Sequence, residues 1–172
     1  RNFSRRAQSL PVDVCTQLSS LWATLASDAQ QEPNSNACQL TYSDWTVLNE
    51  GPSGYAIVHV VGEVTGIAAG CAVGLRTGDG AGWQICLVRW ARSKSSSHVE
   101  MGLEVIAPSA KPVRIQTLAG RTPEPPIPAL LLPALPNLNR GEAILTVRGD
   151  HNVRPFTLLQ ERGDQLQVAE CM

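Results

Sequence analysis

The chain has 172 residues, 43% of them hydrophobic and 17% charged, with a formal net charge of -1. That is the size of one ordinary domain or two small ones, apolar enough to bury a core, and it excludes a disordered chain. The balance of 14 basic and 15 acidic residues excludes a broad basic footprint for duplex DNA or RNA. Residues 1–14 begin basic and then alternate, with Leu10, Val12 and Val14 on one side, which predicts a basic segment entering a strand. In 16–26, Leu18, Leu21, Trp22 and Leu25 share one apolar face at helical spacing, with Thr16 as the expected N-cap. Asp28 to Asn36 is polar, contains Pro33 and reads as a loop.

From Cys38 the pattern is mostly β. Strands are expected over Gln39–Leu48, Tyr55–Val61, Val73–Arg76, Trp83–Arg92, Val99–Val105 and Lys111–Leu118. Asn49-Glu50-Gly51-Pro52-Ser53-Gly54 is a turn by composition, and Thr77–Gly82 is a glycine-rich hairpin connection. Residues 121–137 hold Pro123, Pro125, Pro126, Pro128, Pro133 and Pro136, so a central strand cannot run throughout, although Ala129–Leu132 can pair within it. Glu142–Arg148, Arg154–Glu161 and Gln165–Glu170 read as further strands. Short strands at turn-marked spacing predict a mainly β protein of barrel or sandwich type.

Several chemistries are not supported. The uncharged stretch Val64 to Leu75 is short and broken by Gly66, Gly70 and Gly74, so no membrane insertion is expected. No apolar run follows the charged start as in a signal peptide, and the first residue is Arg, so a trimmed chain or part of a longer protein is expected. Cys15, Cys38, Cys71, Cys86 and Cys171 are odd in number and widely spaced, which favours buried, reduced thiols in a cytoplasmic protein over disulfides or zinc. His59, His98 and His151 show no metal spacing, Gly78–Gly82 lacks the lysine of a phosphate loop, and no carboxylate pair stands out. His59 lies in an apolar run and reads as a core or edge residue. The expectation is a protein without enzymatic activity, metal or cofactor.

What remains is an arginine cluster and a turn. Arg1 and Arg5 are spaced R-x-x-x-R, with Arg6 beside the second. Guanidinium forks match phosphate oxygens and the O6/N7 edge of guanine. The turn at Asn49–Gly54 offers close backbone approach and small hydrogen-bonding groups. Together these motifs resemble the PilZ family of bacterial cyclic di-GMP receptors. Those domains are small β-barrels with R-x-x-x-R in an N-terminal segment and [D/N]-x-[S/A]-x-x-G on the barrel surface. The matches here are Arg1-Asn2-Phe3-Ser4-Arg5 and Asn49-Glu50-Gly51-Pro52-Ser53-Gly54, the latter running into Tyr55-Ala56-Ile57-Val58. Trp83–Trp90 and Val99–Val105 resemble paired strands later in that barrel. Gly51 stands where the family prefers Ser or Ala. The arginine register has two readings: Arg1 with Arg5, supported by Arg6, or Arg5-Arg6 opening a motif whose second arginine has become Ser9.

The resemblance implies a six-stranded antiparallel PilZ-like barrel over 1–118, with a helix inserted at about 16–26. Residues 119–172 resemble a C-terminal β extension of some proteobacterial relatives, a second, smaller barrel-like unit. The implied ligand is cyclic di-GMP and the implied site is Arg1, Arg5, Arg6, Asn49, Gly51, Ser53, Gly54 and Trp90. The arginines would take guanine edges and phosphates, Asn49 a guanine edge, and the glycines and Ser53 would shape the surface. Trp90 or Arg89 would stack on a base; strand alternation puts these neighbours on opposite faces, so one of them is expected at the site, and a core position is the other reading for Trp90. Binding would order the N-terminal segment as the signal, passed to a protein partner that the sequence does not identify. Two other readings compete. One is a PilZ-like protein-interaction adaptor with a degenerate pocket. The other is a single-stranded RNA binder using Trp45, Trp83 and Trp90, against which the near-neutral charge and 5% aromatic content stand.

Overall fold

The computed structural model describes residues 10–30, 44–62, 64, 66–78, 80–95, 97–119, 122–146, 156–162 and 165–171. Two compact units divide the chain, Arg1–Leu21 with Gln39–Ser109, and Trp22–Cys38 with Ala110–Met172.

The first unit is a closed antiparallel barrel. Its strands are β1 (Pro11–Cys15), β2 (Trp45–Gly51), β3 (Gly54–His59), β4 (Ala72–Arg76), β5 (Gln84–Ser95) and β6 (His98–Ala107), in the order β1-β2-β3-β6-β5-β4. The six expected strands from 10 to 105 are therefore present. Alternation explains the interior: Val12 and Val14, Trp45 and Val47, Val73 and Leu75, and Val99, Met101 and Leu103 all face one core. Closure is made by β1 against β4, where Asp13 lies opposite Arg76. Their side chains meet at 2.7 Å, and the same guanidinium lies 4.9 Å from the Trp83 ring centroid.

Helix α1 (Leu18–Gln30) begins and ends later than the apolar spacing suggested. The Gln17 carbonyl accepts the first helical hydrogen bond, from the Leu21 N–H at 3.0 Å. Gln17, and not Thr16, therefore holds the cap position. The helix runs on through Asp28, Ala29 and Gln30, where a loop was expected. None of those residues is a helix breaker, and Pro33 acts only downstream. Leu21 is fully buried within the first unit, and a Cβ on Gly74 would lie 2.7 Å from its Cδ1. The missing side chain at Gly74 is what seats Leu21 beside Trp83.

The second unit is an antiparallel sheet. It contains β7 (Lys111–Ala119), β8 (Thr122–Pro123), β9 (Ile127–Leu132), β10 (Ala143–Thr146), β11 (Phe156–Arg162) and β12 (Gln165–Cys171). The order is β10-β9-β7-β11-β12, with β8 on β7. Strand β7 was expected in the barrel, in a domain ending at 118. It pairs instead with β9 and β11, so the structural boundary follows Ser109. The apolar residues of β7, Val113 and Ile115, find their partners at Ala129, Ile127 and Leu158. Among the described residues the ladder of β9 with β10 covers Ala129–Leu132, and Pro128 lies outside it. No helix of the described residues is long and apolar enough to cross a membrane.

Candidate functional site

The site is a depression on the outer face of the barrel, built by small residues at its centre. Ala56 on β3 pairs with Gly102 on β6. On one side Asn49 of β2 pairs with Ala56, and on the other Trp90 of β5 pairs with Gly102. The next row outward runs Gly51, Gly54, Glu104. Side chains are thus absent or minimal at Gly51, Ala56, Gly54 and Gly102 on three neighbouring strands, while Asn49 and Trp90 stand as walls. The groove has a volume of about 550 Å³ and is also lined by Ser53, Tyr55, Arg89 and Leu103. That lies within the roughly 300–1,000 Å³ typical of small-molecule sites.

Two bulges aim the walls. On β2 the register shifts between Val47 and Asn49, leaving Leu48 as the extra residue. Val47 points into the core opposite Ile57, and Asn49, two positions on, faces outward with Ala56. On β5 the register shifts between Val88 and Trp90, leaving Arg89 extra. Both Arg89 and Trp90 consequently line the groove. This overturns the expectation from simple alternation that only one of the two reaches the site, since an inserted residue resets the period of two. It also settles the position of Trp90, which is 38% exposed and not in the core.

The contacts within the groove follow from this layout. A Cβ on Gly102 would lie 2.1 Å from the Trp90 Nε1, so the indole rests directly on the strand where Gly102 has no side chain. Arg92 lies with its Cζ 5.3 Å from the same ring centroid, a cation-π contact. Arg89 Nε is 2.9 Å from a Glu104 carboxylate oxygen. Asn49 Oδ1 is buried with no hydrogen-bond partner among the described residues. Such an atom is costly unless something donates to it. The turn at Pro52 and Ser53 is anchored by the Ser53 carbonyl, which accepts the Val105 N–H at 2.9 Å. Burial, with a further push from Glu50, raises the Tyr55 phenol above its ordinary 10.0 despite the opposing hydrogen bond with Gln84. Tyr55 therefore remains a neutral hydroxyl at physiological pH.

Of the residues expected at the site, Asn49, Gly51, Ser53, Gly54 and Trp90 are brought together in this one groove. Arg1, Arg5 and Arg6 lie outside the described residues. The stretch Asn49–Gly54, expected as a turn, is mostly strand: Asn49 to Gly51 belong to β2, and the turn proper is Pro52-Ser53. Sequence reasoning missed Ala56, Gly102 and Glu104. A glycine inside the strictly alternating Val99–Val105 run was the available signal, because such a glycine marks close approach by another group. Among the described residues no group of three or more His, Cys, Asp or Glu side chains could hold a metal ion.

The fold and the groove together define a small β-barrel module with a groove on the outside of its wall. A family model described as "Cyclic-di-GMP receptor FimW, middle PilZ domain" matches residues 16–112, a span that holds every groove residue from Asn49 to Glu104. The chain belongs to this PilZ family, one of receptors and not of enzymes. It is similar to the protein named cyclic-di-GMP receptor FimW from Pseudomonas aeruginosa, with 35% identity over 104 residues. The match covers 59% of this chain and 17% of that relative. No solved structure matches.

Proposed function

We propose that the barrel is a non-catalytic receptor module for cyclic di-GMP. The observation that carries this reading is the meeting of Asn49, Gly51, Ser53, Gly54 and Trp90 in one outer groove of a PilZ-family barrel. A purine stacks on the indole of Trp90, which Gly102 supports from behind. Asn49 Oδ1, buried and unpartnered, accepts a hydrogen bond from the N–H edge of guanine. Gly51 and Gly54 leave room for the macrocycle, and Ser53 offers its hydroxyl at the rim. Arg1, Arg5 and Arg6 clamp phosphates and guanine edges from the N-terminal segment, whose ordering on binding transmits the signal to a protein partner. The domain assignment follows: the barrel is the nucleotide-binding unit and the second sheet a C-terminal β extension. We place the module in the cytoplasm, where a soluble nucleotide messenger is read.

Calorimetric titration with cyclic di-GMP tests the reading. Wild-type chain should bind, and Arg5→Ala should lose about tenfold or more, the value of a charge-assisted hydrogen bond. Absence of wild-type binding at high micromolar nucleotide would sink the receptor role. Nucleotide-independent capture of a protein partner would then favour the adaptor. Unchanged affinity in Arg5→Ala would remove that residue from the site.

A further inference from the structure

We propose that Arg89 is a phosphate-binding residue of the groove and that Glu104 positions it; this rests on the reading of the groove as a cyclic di-GMP site. Arg89 is the extra residue of the β5 bulge, between the pairs Val88↔Leu103 and Trp90↔Gly102. Bulges re-aim side chains and are enriched next to binding sites. This one delivers a cation and an indole to the same groove from consecutive positions, which a regular strand cannot do. The guanidinium therefore stands beside the surface on which a base would stack, where the phosphodiester of a stacked nucleotide must pass.

Glu104 explains why an anion site holds a carboxylate. It lies opposite Gly54, whose missing side chain leaves it bordering the groove. Its carboxylate pairs with the Arg89 guanidinium, 2.9 Å from Nε, and its side chain is 28% exposed against 61% for Arg89. A guanidinium has five N–H donors, so an ion pair on the Nε side leaves the terminal nitrogens available to a second anion. Holding the long side chain in advance lowers the entropy lost on binding. A merely decorative surface pair makes the opposite prediction. There Glu104 only repels the dianionic ligand, and removing its charge tightens binding.

The test is a double-mutant cycle on the whole chain, read by cyclic di-GMP titration, with denaturant unfolding as a control. Arg89→Gln should weaken binding about ten- to hundredfold, with Arg89→Lys intermediate because it keeps the charge and loses the fork. Glu104→Gln should weaken binding about two- to tenfold in the wild-type background and have no effect beside Arg89→Gln. Unfolding midpoints should stay close to wild type, since both side chains lie on the outer face. If Arg89→Gln does not fold, the Arg89→Lys and Glu104→Gln arms carry the same signs. Wild-type affinity in Arg89→Gln, tighter binding in Glu104→Gln, or an equal Glu104→Gln effect in both backgrounds would overturn the proposal. In each of those cases wild-type binding persists, so the receptor reading survives. A wild-type chain that does not bind removes both.

Discussion

His59 is 1% exposed inside the barrel, its ring 5.1 Å from that of Trp45, and its Nδ1 has no partner among the described residues. Burial lowers its pKa below the ordinary 6.5, with Asp44 pulling weakly the other way. The folded barrel therefore refuses a proton that the unfolded chain accepts once the pH drops below 6.5. Stability should fall as the pH is lowered through that window, because the unfolded state binds more protons. Urea midpoints measured between about pH 7 and pH 5 should decline, and His59→Phe should flatten the decline. Glu100 acts in a separate window. Hydrogen bonds from Lys94 and His98 lower its pKa below 4.5, so its contribution is lost only under more acidic conditions. A slope that is identical in wild type and His59→Phe would contradict the assignment. The same core pushes the Cys86 thiol up to about 12, so it stays protonated and unreactive. Cys15 is buried as well and Cys71 half-buried, and none of these three forms a disulfide, so the reading of the cysteines as buried thiols holds for Cys15 and Cys86.

The β3–β6 pair carries the floor of the groove, and its two glycines act differently. Gly102 leaves space for a side chain, the Trp90 indole. Gly54 leaves space for backbone: a Cβ there would lie 1.8 Å from the Leu103 carbonyl oxygen, which cannot swing aside without moving β6. Gly54→Ala should therefore destabilise the barrel by about 1–3 kcal/mol, the usual range for overpacking, or more. Chemical denaturation gives the number; a change below about 0.5 kcal/mol would mean that the strands separate freely. The last glycine of the N-x-G-x-x-G turn is thus needed for strand packing whether or not a ligand binds. The strands themselves were legible because inward positions such as Val99, Met101 and Leu103 repeat every second residue. The bulges at Leu48 and Arg89 were not, since neither position differs in composition from an ordinary strand residue.

The full chain combines a barrel with a second sheet, and the arginine motif precedes the first barrel strand. Because β1 starts at Pro11 and its closing partners on β2 and β4 begin from there, a chain starting at Leu10 retains every described barrel strand. Such a truncation should keep the wild-type unfolding transition while losing at least about tenfold in cyclic di-GMP affinity, through loss of the charged phosphate contacts. Retained affinity would assign binding to the groove alone, with Arg89 as its cation. Loss of the unfolding transition would show instead that the first nine residues support the barrel.

Local pattern was sufficient for the mainly β class, most of the strand positions, the proline-rich change of character and each short motif behind the family resemblance. Each of these depends on residues near one another in the chain. Which barrel wall each side chain faces at Asn49, Arg89 and Trp90 depends on cross-strand register, which local alternation misjudges by one residue at every bulge. The membership of β7 in the second sheet depends on partners at Ile127–Leu132 and Phe156–Arg162, and its own alternation is compatible with either unit. The pairing of Arg89 with Glu104 likewise joins β5 to β6 across a connection, so it becomes visible only when the register is known.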